Sequence, residues 1–156
     1  MAAPERFELF SEITDSSHMH NRLRSNAQDD FRARIRVLDL GELQVSTMHF
    51  PHLEITRTAK LVRQSDPEAY QINYFLHQEG VLSTAKGDTS LAAGDLVVMD
   101  SSRPYRGDVH PVLGTWSHVT VQFPRVLLPL PDKTVQPLLE VPIDGRHGMG
   151  GSLPAG

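Results

Sequence analysis

The sequence predicts a mainly β fold, in which one domain is built from many short strands. Segments with alternating apolar and polar residues recur from Phe31 to Phe123, and turn pairs such as Asp66-Pro67 and Gly94-Asp95 separate them. The 156 residues suffice for one domain with a hydrophobic core but not for two of ordinary size. Many short strands with regular turns favour a barrel or a sandwich over a parallel α/β sheet.

The predicted strands follow one another along the chain. Phe31 to Val37 alternates apolar residues with arginines, and Gly41 separates it from Leu43 to Phe50, so these two segments predict a hairpin. The further predicted strands are Leu53 to Val62, Tyr70 to His77, Val81 to Ala85, Leu96 to Asp100 and Trp116 to Phe123. The residues from 104 to 114 are predicted to form a loop.

Short helices are predicted at both ends of this strand region. Apolar residues recur at helical spacing from Phe7 to Ile13 and predict an N-terminal helix that ends near Thr14. After the last strand, repeated prolines leave room for only a short C-terminal helix around Lys133 to Glu140. We expect residues 1–141 to form the domain and the Gly/Pro-rich residues 142–156 to be a flexible tail.

The composition excludes several classes of protein. The chain has no cysteine, so it has no disulfide, no thiolate zinc site and no cysteine nucleophile. Its net charge of -4 argues against nucleic-acid binding by the whole surface. No segment has the length that a bilayer span requires, and the N-terminus lacks a signal-peptide pattern. We therefore expect a cytoplasmic protein that does not contact membranes.

Eight histidines raise the question of a metal site. His18-Met19-His20 would place two imidazoles on one side of an extended chain, but no carboxylate occurs between Asn21 and Gln28. A proline between His49 and His52 excludes a regular helix that presents both rings. A metal site would require several histidines to converge in space. We expect no bound metal and no cofactor.

Catalytic and phosphate-binding patterns are also absent from the sequence. It contains no GxSxG or SxxK motif, and Ser101-Ser102 falls in a predicted turn where hydroxyls bond to the local backbone. We therefore expect no catalytic residues. The basic residues concentrate at Arg22, Arg24, Arg32, Arg34 and Arg36. Their alternation along a predicted strand favours the solvated face of an edge strand over a phosphate site.

A small-molecule site inside the barrel is the remaining prediction. A barrel of this size can hold one small ligand, lined by alternate residues of its strands. The polar or aromatic side chains on predicted strands that we expect to bind it are His49, Arg57, Tyr74, Trp116 and His118. Core packing or outward exposure is the alternative for each, because the pattern does not fix which face of a strand is inward.

Three segments resemble a known family. They are TRTAKLVRQSDPEAYQINYFLHQEGVLS (Thr56 to Ser83), LAAGDLVVMDSSRPYRGD (Leu91 to Asp108) and WSHVTVQFPRVLLPLP (Trp116 to Pro131). In this order they resemble the N-terminal ligand-binding domain of actinobacterial AraC-type transcription regulators, over roughly Phe7 to Gly151. The resemblance implies a cupin-like (jelly-roll) β-barrel that senses an effector and dimerises. In full-length relatives, a C-terminal pair of helix-turn-helix motifs binds DNA.

The resemblance also implies what the domain does and what it contacts. Leu91 to Arg106 is similar to the second half-motif of a cupin barrel, in which a metal-binding histidine usually follows the proline, whereas Tyr105 follows Pro104 here. It implies a regulatory domain that is not an enzyme, with a small-molecule effector and a homodimer or a heterodimer with an intact relative. We expect this chain to lack the helix-turn-helix domain through which DNA contact would occur. A small cupin-like enzyme, such as an isomerase or dioxygenase, and a stand-alone small-molecule binding protein remain alternatives.

Overall fold

Two antiparallel β-sheets share one interior in a computed structural model that describes residues 3–76, 80–111 and 114–145. The strands are β1 (Arg22–Arg24), β2 (Arg34–Leu40), β3 (Leu43–Phe50), β4 (Leu53–Arg57), β5 (Ala69–Phe75), β6 (Gly80–Thr84), β7 (Gly87–Leu91), β8 (Asp95–Asp100), β9 (Tyr105–Val109), β10 (Trp116–Pro124) and β11 (Ile143–Asp144). One sheet has the order β1-β4-β9-β6-β7 and the other β11-β8-β5-β10-β3-β2. The predicted mainly β, cupin-like fold is confirmed.

The helices are few and lie outside the sheets. They are α1 (Ala3–Ser17), α2 (Ala59–Gln64) and α3 (Asp132–Val135), with 3₁₀ turns at Gln28–Asp30, Arg125–Leu127 and Gln136–Leu138. The N-terminal helix is present as predicted but continues to Ser17. Its buried Phe7 and Phe10 pack on Phe31, with ring centroids 5.0 Å apart in both pairs. Within the described ranges, no helix has the length and apolar character needed to cross a membrane.

The main core lies between the two sheets and includes Trp116, Phe50 and Val97. A smaller core lies on the outer face of the larger sheet, where Tyr70 packs with Val135 and Leu139. The C-terminal segment is thus held against the sheet rather than released after β10. Its strand β11 pairs with β8 two residues beyond the predicted domain boundary at 141. The remainder of the predicted tail, residues 146–156, lies outside the described residues.

Several predicted boundaries are wrong, and three of them have a clear physical reason. The strand predicted to run to Val62 ends at Arg57, because Thr58 caps α2 by accepting a hydrogen bond from the backbone N–H of Leu61 at 3.1 Å. Strand β9 occupies part of the predicted loop from 104 to 114, and β7 begins in a predicted turn at Gly87. Both strands contain glycine and aspartate, which have low strand propensity and acquire strand geometry by pairing with β6. His77, the predicted end of another strand, lies outside the described residues.

Candidate ligand-binding site inside the barrel

A cavity of about 110 Å³ lies in the barrel interior. Helix α1 contributes Phe10 and Thr14 to its wall, the segment after α1 contributes His18 and Asn21, and strands of both sheets contribute the rest. Most of the wall is apolar, and a few amide, hydroxyl and imidazole groups interrupt it. Among the described residues that line the cavity, none is Asp, Glu, Lys or Arg.

Strand β10 supplies the centre of this wall. Alternate residues of a strand share one face, so Trp116, His118 and Thr120 all point inward. His118 lies opposite Met48 of β3 and Phe75 of β5, which also line the cavity. Two of the five predicted site residues, Trp116 and His118, are therefore cavity-lining residues, and their contact with a ligand stays a prediction.

The protonation state of His118 follows from its neighbour. The indole N–H of Trp116 donates to Nδ1 of His118 at 2.9 Å. Because the indole nitrogen is only a donor, Nδ1 is an acceptor and the neutral ring carries its proton on Nε2. Burial, with smaller contributions from the nearby His18 and His49, lowers the pKa of His118 to about 3. His118 is neutral at pH 7, and its Nε2–H has no acceptor among the described residues.

His18 is held as the opposite tautomer. The hydroxyl of Ser17 donates to the carbonyl of Ile13 at 2.6 Å, so it can only accept from His18 Nδ1–H, which lies 2.7 Å away. Nε2 of His18 then accepts from the hydroxyl of Ser46 at 2.7 Å. Burial lowers the pKa of His18 to about 4. The His18-Met19-His20 pattern does not form one site, because the side chain of His20 is exposed while His18 lines the cavity.

Amide and hydroxyl groups from β5 and β10 form a polar patch on the wall. Thr120 donates to Oδ1 of Asn73 at 2.8 Å. Gln71 donates to Oε1 of Gln122 at 2.7 Å, and Gln122 donates to the carbonyl of His18 at 3.0 Å. These amide and hydroxyl groups were not predicted from the sequence, because the five predicted site residues are all aromatic or ionisable. The alternation of polar Gln71 and Asn73 within a strand is a signal that could have found it.

Tyr105 occupies the position where cupin barrels were expected to carry a metal-binding histidine. It lines the cavity, and its hydroxyl accepts a hydrogen bond from Nδ2 of Asn21 at 3.2 Å. Burial raises the pKa of Tyr105, so the phenol keeps its proton at neutral pH. Oδ1 of Asn21 is buried and has no hydrogen-bond partner. The position thus presents hydrogen-bonding groups that carry no charge.

Two predicted site residues lie on the wrong face of their strands. His49 and Tyr74 point away from the cavity, because inward positions are even-numbered in β3 and odd-numbered in β5. His49 bonds through Nδ1 to the hydroxyl of Ser117 at 2.7 Å, and Tyr74 lies beside Gly145. The expectation that either side chain lines the interior pocket is wrong.

Arg57 is buried, and its guanidinium donates hydrogen bonds to three backbone carbonyls. Only 1% of the residue is exposed. Its Nε donates to the carbonyl of Ser101 at 2.8 Å, and Nη1 and Nη2 donate at 2.7 Å to the carbonyls of His20 and Ser65. It joins three loops at one end of the barrel and is not among the residues that line the cavity. Arg57 therefore does not line the cavity, and its predicted contact with a ligand stays a prediction.

Outside the cavity, two histidines converge on one carboxylate. The nearest ligand atoms of His52, Asp108 and His110 lie within 4.8 Å of one another, the one such group in the parts of the chain that the structure describes. Nδ1 of His52 accepts from the backbone N–H of Asn26 at 3.0 Å, so the proton of the neutral ring lies on Nε2, which faces Asp108 at 3.6 Å. An imidazole that binds a metal through one ring nitrogen usually donates a hydrogen bond from the other, whereas Nδ1 of His52 accepts one. The group fits a hydrogen-bonded cluster better than a metal centre, and the absence of a bound metal stays a prediction.

A two-sheet barrel with an uncharged interior cavity defines a cupin-like small-molecule-binding domain. The AraC-binding-like domain family matches residues 10–155, and the chain belongs to that family. The resemblance drawn from the sequence is therefore confirmed, and the chain is a ligand-sensing regulatory domain.

A solved structure shows the same fold. The crystal structure of the AraC-like transcriptional activator CuxR matches with a TM-score of 0.68 and 17% identity, over 78% of this chain and 44% of that one. The chain therefore spans less than half the length of that relative. A cupin superfamily protein from Desulfitobacterium hafniense DCB-2 gives a TM-score of 0.47 and 12% identity, over 65% of this chain and 81% of that one. No curated protein sequence matches the chain significantly.

Proposed function

We propose that the interior cavity is the effector site of this domain and that its occupancy controls a transcription regulator. The observation that carries the proposal is hydrogen-bonding capacity left unused at the cavity. Asn21 Oδ1 is buried without a partner, whereas such groups are normally paired, and no described residue accepts a hydrogen bond from Nε2–H of the cavity-lining His118. A ligand oxygen and a ligand N–H or O–H would satisfy the two groups.

We further propose that the domain binds its ligand without transforming it. General acid–base catalysis needs a group that exchanges a proton near neutral pH. Burial lowers the pKa of His118 to about 3 and of His18 to about 4, and it raises the pKa of Tyr105. No carboxylate lies on the described cavity wall. A small cupin-like enzyme remains the competing function, and release of a changed product after incubation with a bound ligand would favour it.

We also propose that the domain dimerises, that it is cytoplasmic, and that it controls DNA binding through a helix-turn-helix domain. Half-buried apolar side chains of Ile72, Val119 and Val121 adjoin one another on the outer face of the larger sheet. Such a face supports pairing with a second copy or with an intact relative. Light scattering after size exclusion would measure twice the 17.4 kDa chain mass for a homodimer. Val119→Asp should then return the monomer mass.

The proposal can be tested by filling the cavity. Gly107 lines the cavity, and a Cβ atom built there meets no heavy atom within 4 Å. Gly107→Val should therefore fill the cavity without distorting the barrel. In a small-molecule screen by thermal shift, effector-like compounds should raise the Tm of the wild type but not that of Gly107→Val. Compounds that stabilise both proteins equally would place the binding site elsewhere and contradict the proposal.

A further inference from the structure

We propose that the effector is an uncharged, mostly apolar molecule of about six to nine non-hydrogen atoms, with one oxygen that accepts a hydrogen bond from His118 Nε2–H. Small phenols and alcohols belong to this class. The inference rests on the proposed function, because it assigns a chemical class to the ligand of the same cavity.

The absence of charge from the wall excludes ionic ligands. An ion that leaves water for an apolar interior requires an opposite charge to compensate its desolvation. The described lining residues include no acidic or basic side chain. Arg57 does not line the cavity, and three of the five N–H groups of its guanidinium donate to backbone carbonyls. A carboxylate or an ammonium group would therefore enter the cavity without a partner.

The polar end of the ligand is set by His118. The hydrogen bond from Trp116 fixes the tautomer, so this ring offers the ligand a donor and not an acceptor. Phe50 and Phe75 pack against the imidazole, with ring centroids at 5.6 and 6.0 Å. The donor is thus held on a central strand between aromatic neighbours, which fixes its direction before a ligand arrives.

The size limit follows from the volume of the cavity. A cavity of roughly 150 Å³ accommodates a benzene ring, and the volume here is about 110 Å³. Met48 and Met99 line the wall, and their flexible side chains can make room for a slightly larger molecule. A single ring with one small substituent is therefore the upper limit.

Four probes of similar size separate the parts of this inference. Phenol has a ring and one hydroxyl, toluene has the same shape without the oxygen, benzoate is an anion, and benzylammonium is a cation. In calorimetric titrations of the full chain at pH 7, phenol should bind about tenfold more tightly than toluene, which corresponds to one net hydrogen bond. Benzoate and benzylammonium should show no binding. Equal affinity for phenol and toluene would overturn the assignment of the oxygen.

Variants of His118 test the donor itself. His118→Gln retains an acceptor for the Trp116 N–H and an amide donor toward the cavity, whereas His118→Leu retains neither. The preference for phenol over toluene should persist in His118→Gln and disappear in His118→Leu, with toluene affinity little changed. If His118→Leu does not fold, the ¹⁵N resonance of His118 Nε2 in the wild type provides the same test. Phenol should shift it and toluene should not.

Gly107→Val separates failure of this inference from failure of the proposed function. Binding of benzoate or benzylammonium to the wild type and not to Gly107→Val would refute an uncharged ligand but leave the cavity as the effector site. Phenol binding of equal strength in Gly107→Val would contradict both, because the ligand would then lie outside the cavity. If none of the four probes binds the wild type, the size and charge assignment is wrong, and the thermal-shift screen decides on the cavity.

Discussion

Trp116 donates its indole N–H to Nδ1 of His118, two residues further along the same strand and 2.9 Å away. The two side chains share the inward face of β10, and each satisfies a polar group that burial would otherwise leave unpaired. The bond also withdraws Nδ1 from protonation and so favours the neutral imidazole. Strand β10 places every second side chain in the cavity wall, and the bond between two of these side chains keeps the imidazole there polar but uncharged.

We predict that acid destabilises the fold between pH 6.5 and pH 4. The pKa values of His18 and His118 are lowered from 6.5 to about 4 and about 3, so the unfolded chain binds more protons than the folded one in this range. Stability therefore falls as pH falls. From pH 8 to pH 5, the free energy of unfolding should decrease by about 2 kcal/mol for each histidine. Urea denaturation at several pH values measures this.

His118→Gln provides the control for this pH dependence. It removes one of the two histidines while keeping an acceptor for the Trp116 N–H. The loss of stability between pH 8 and pH 5 should fall to about half of the wild-type loss. A variant with the full wild-type dependence would show that His118 is not held neutral by burial.

We predict that Trp116→Ala is strongly destabilising and that Tyr74→Ala is not. Trp116 is 0% exposed and lies in the main core, so its removal should cost about 3 to 5 kcal/mol. Tyr74 is half-buried on the opposite face of β5, and its removal should cost about 1 kcal/mol. Chemical denaturation of both variants compares them directly. Equal losses would mean that the inward and outward faces have been assigned incorrectly.

We predict that Arg57 is needed for stability and not for ligand contact. Arg57→Met leaves three backbone carbonyls without their donors, which should cost about 3 kcal/mol or more. Arg57→Lys should restore only part of this loss, because an ammonium group cannot reproduce the planar fork. In whichever variant folds, phenol affinity measured by calorimetry should stay within about twofold of the wild type. A selective loss of binding without a loss of stability would restore Arg57 to the site.

We predict that the purified protein carries no stoichiometric transition metal. The His52, Asp108 and His110 cluster offers three groups, but His52 accepts a hydrogen bond where a metal ligand would donate one. Elemental analysis after removal of any affinity tag should find well under about one ion per chain. If zinc is found, its loss in His110→Ala would identify this cluster as its site.

The strands that the sequence predicts correctly are those with strong alternation. Leu43 to Phe50 is found with the predicted bounds, and Leu96 to Asp100 differs by one residue. Strand β9 was not predicted because Gly107 and Asp108 disfavour a strand when considered locally. Its geometry comes from long-range pairing with β4 and β6. Pairing of this kind is not encoded in any short window of sequence.

The candidate site was harder to predict than the fold because the usual pattern is partly reversed. In β5, the polar Gln71 and Asn73 point inward while Ile72 and Tyr74 point outward. An apolar-inside rule applied to this strand selects Tyr74 and rejects the two amides. The inward-facing amides of Gln71 and Asn73 are the part of the sequence pattern that indicates polar groups in the cavity wall. The contribution of α1 to that wall depends on tertiary packing and has no sequence signal of its own.

Gly107 has a consequence for how the proposed effector cavity could acquire a new specificity. Every glycine codon becomes an alanine or a valine codon by a single base change, and the added side chain would enter space that is open in this barrel. The ligand range can therefore narrow in one mutational step that leaves the remaining contacts of the cavity wall intact. Because the strand would also gain a residue with higher β propensity, selection against misfolding would not oppose that step.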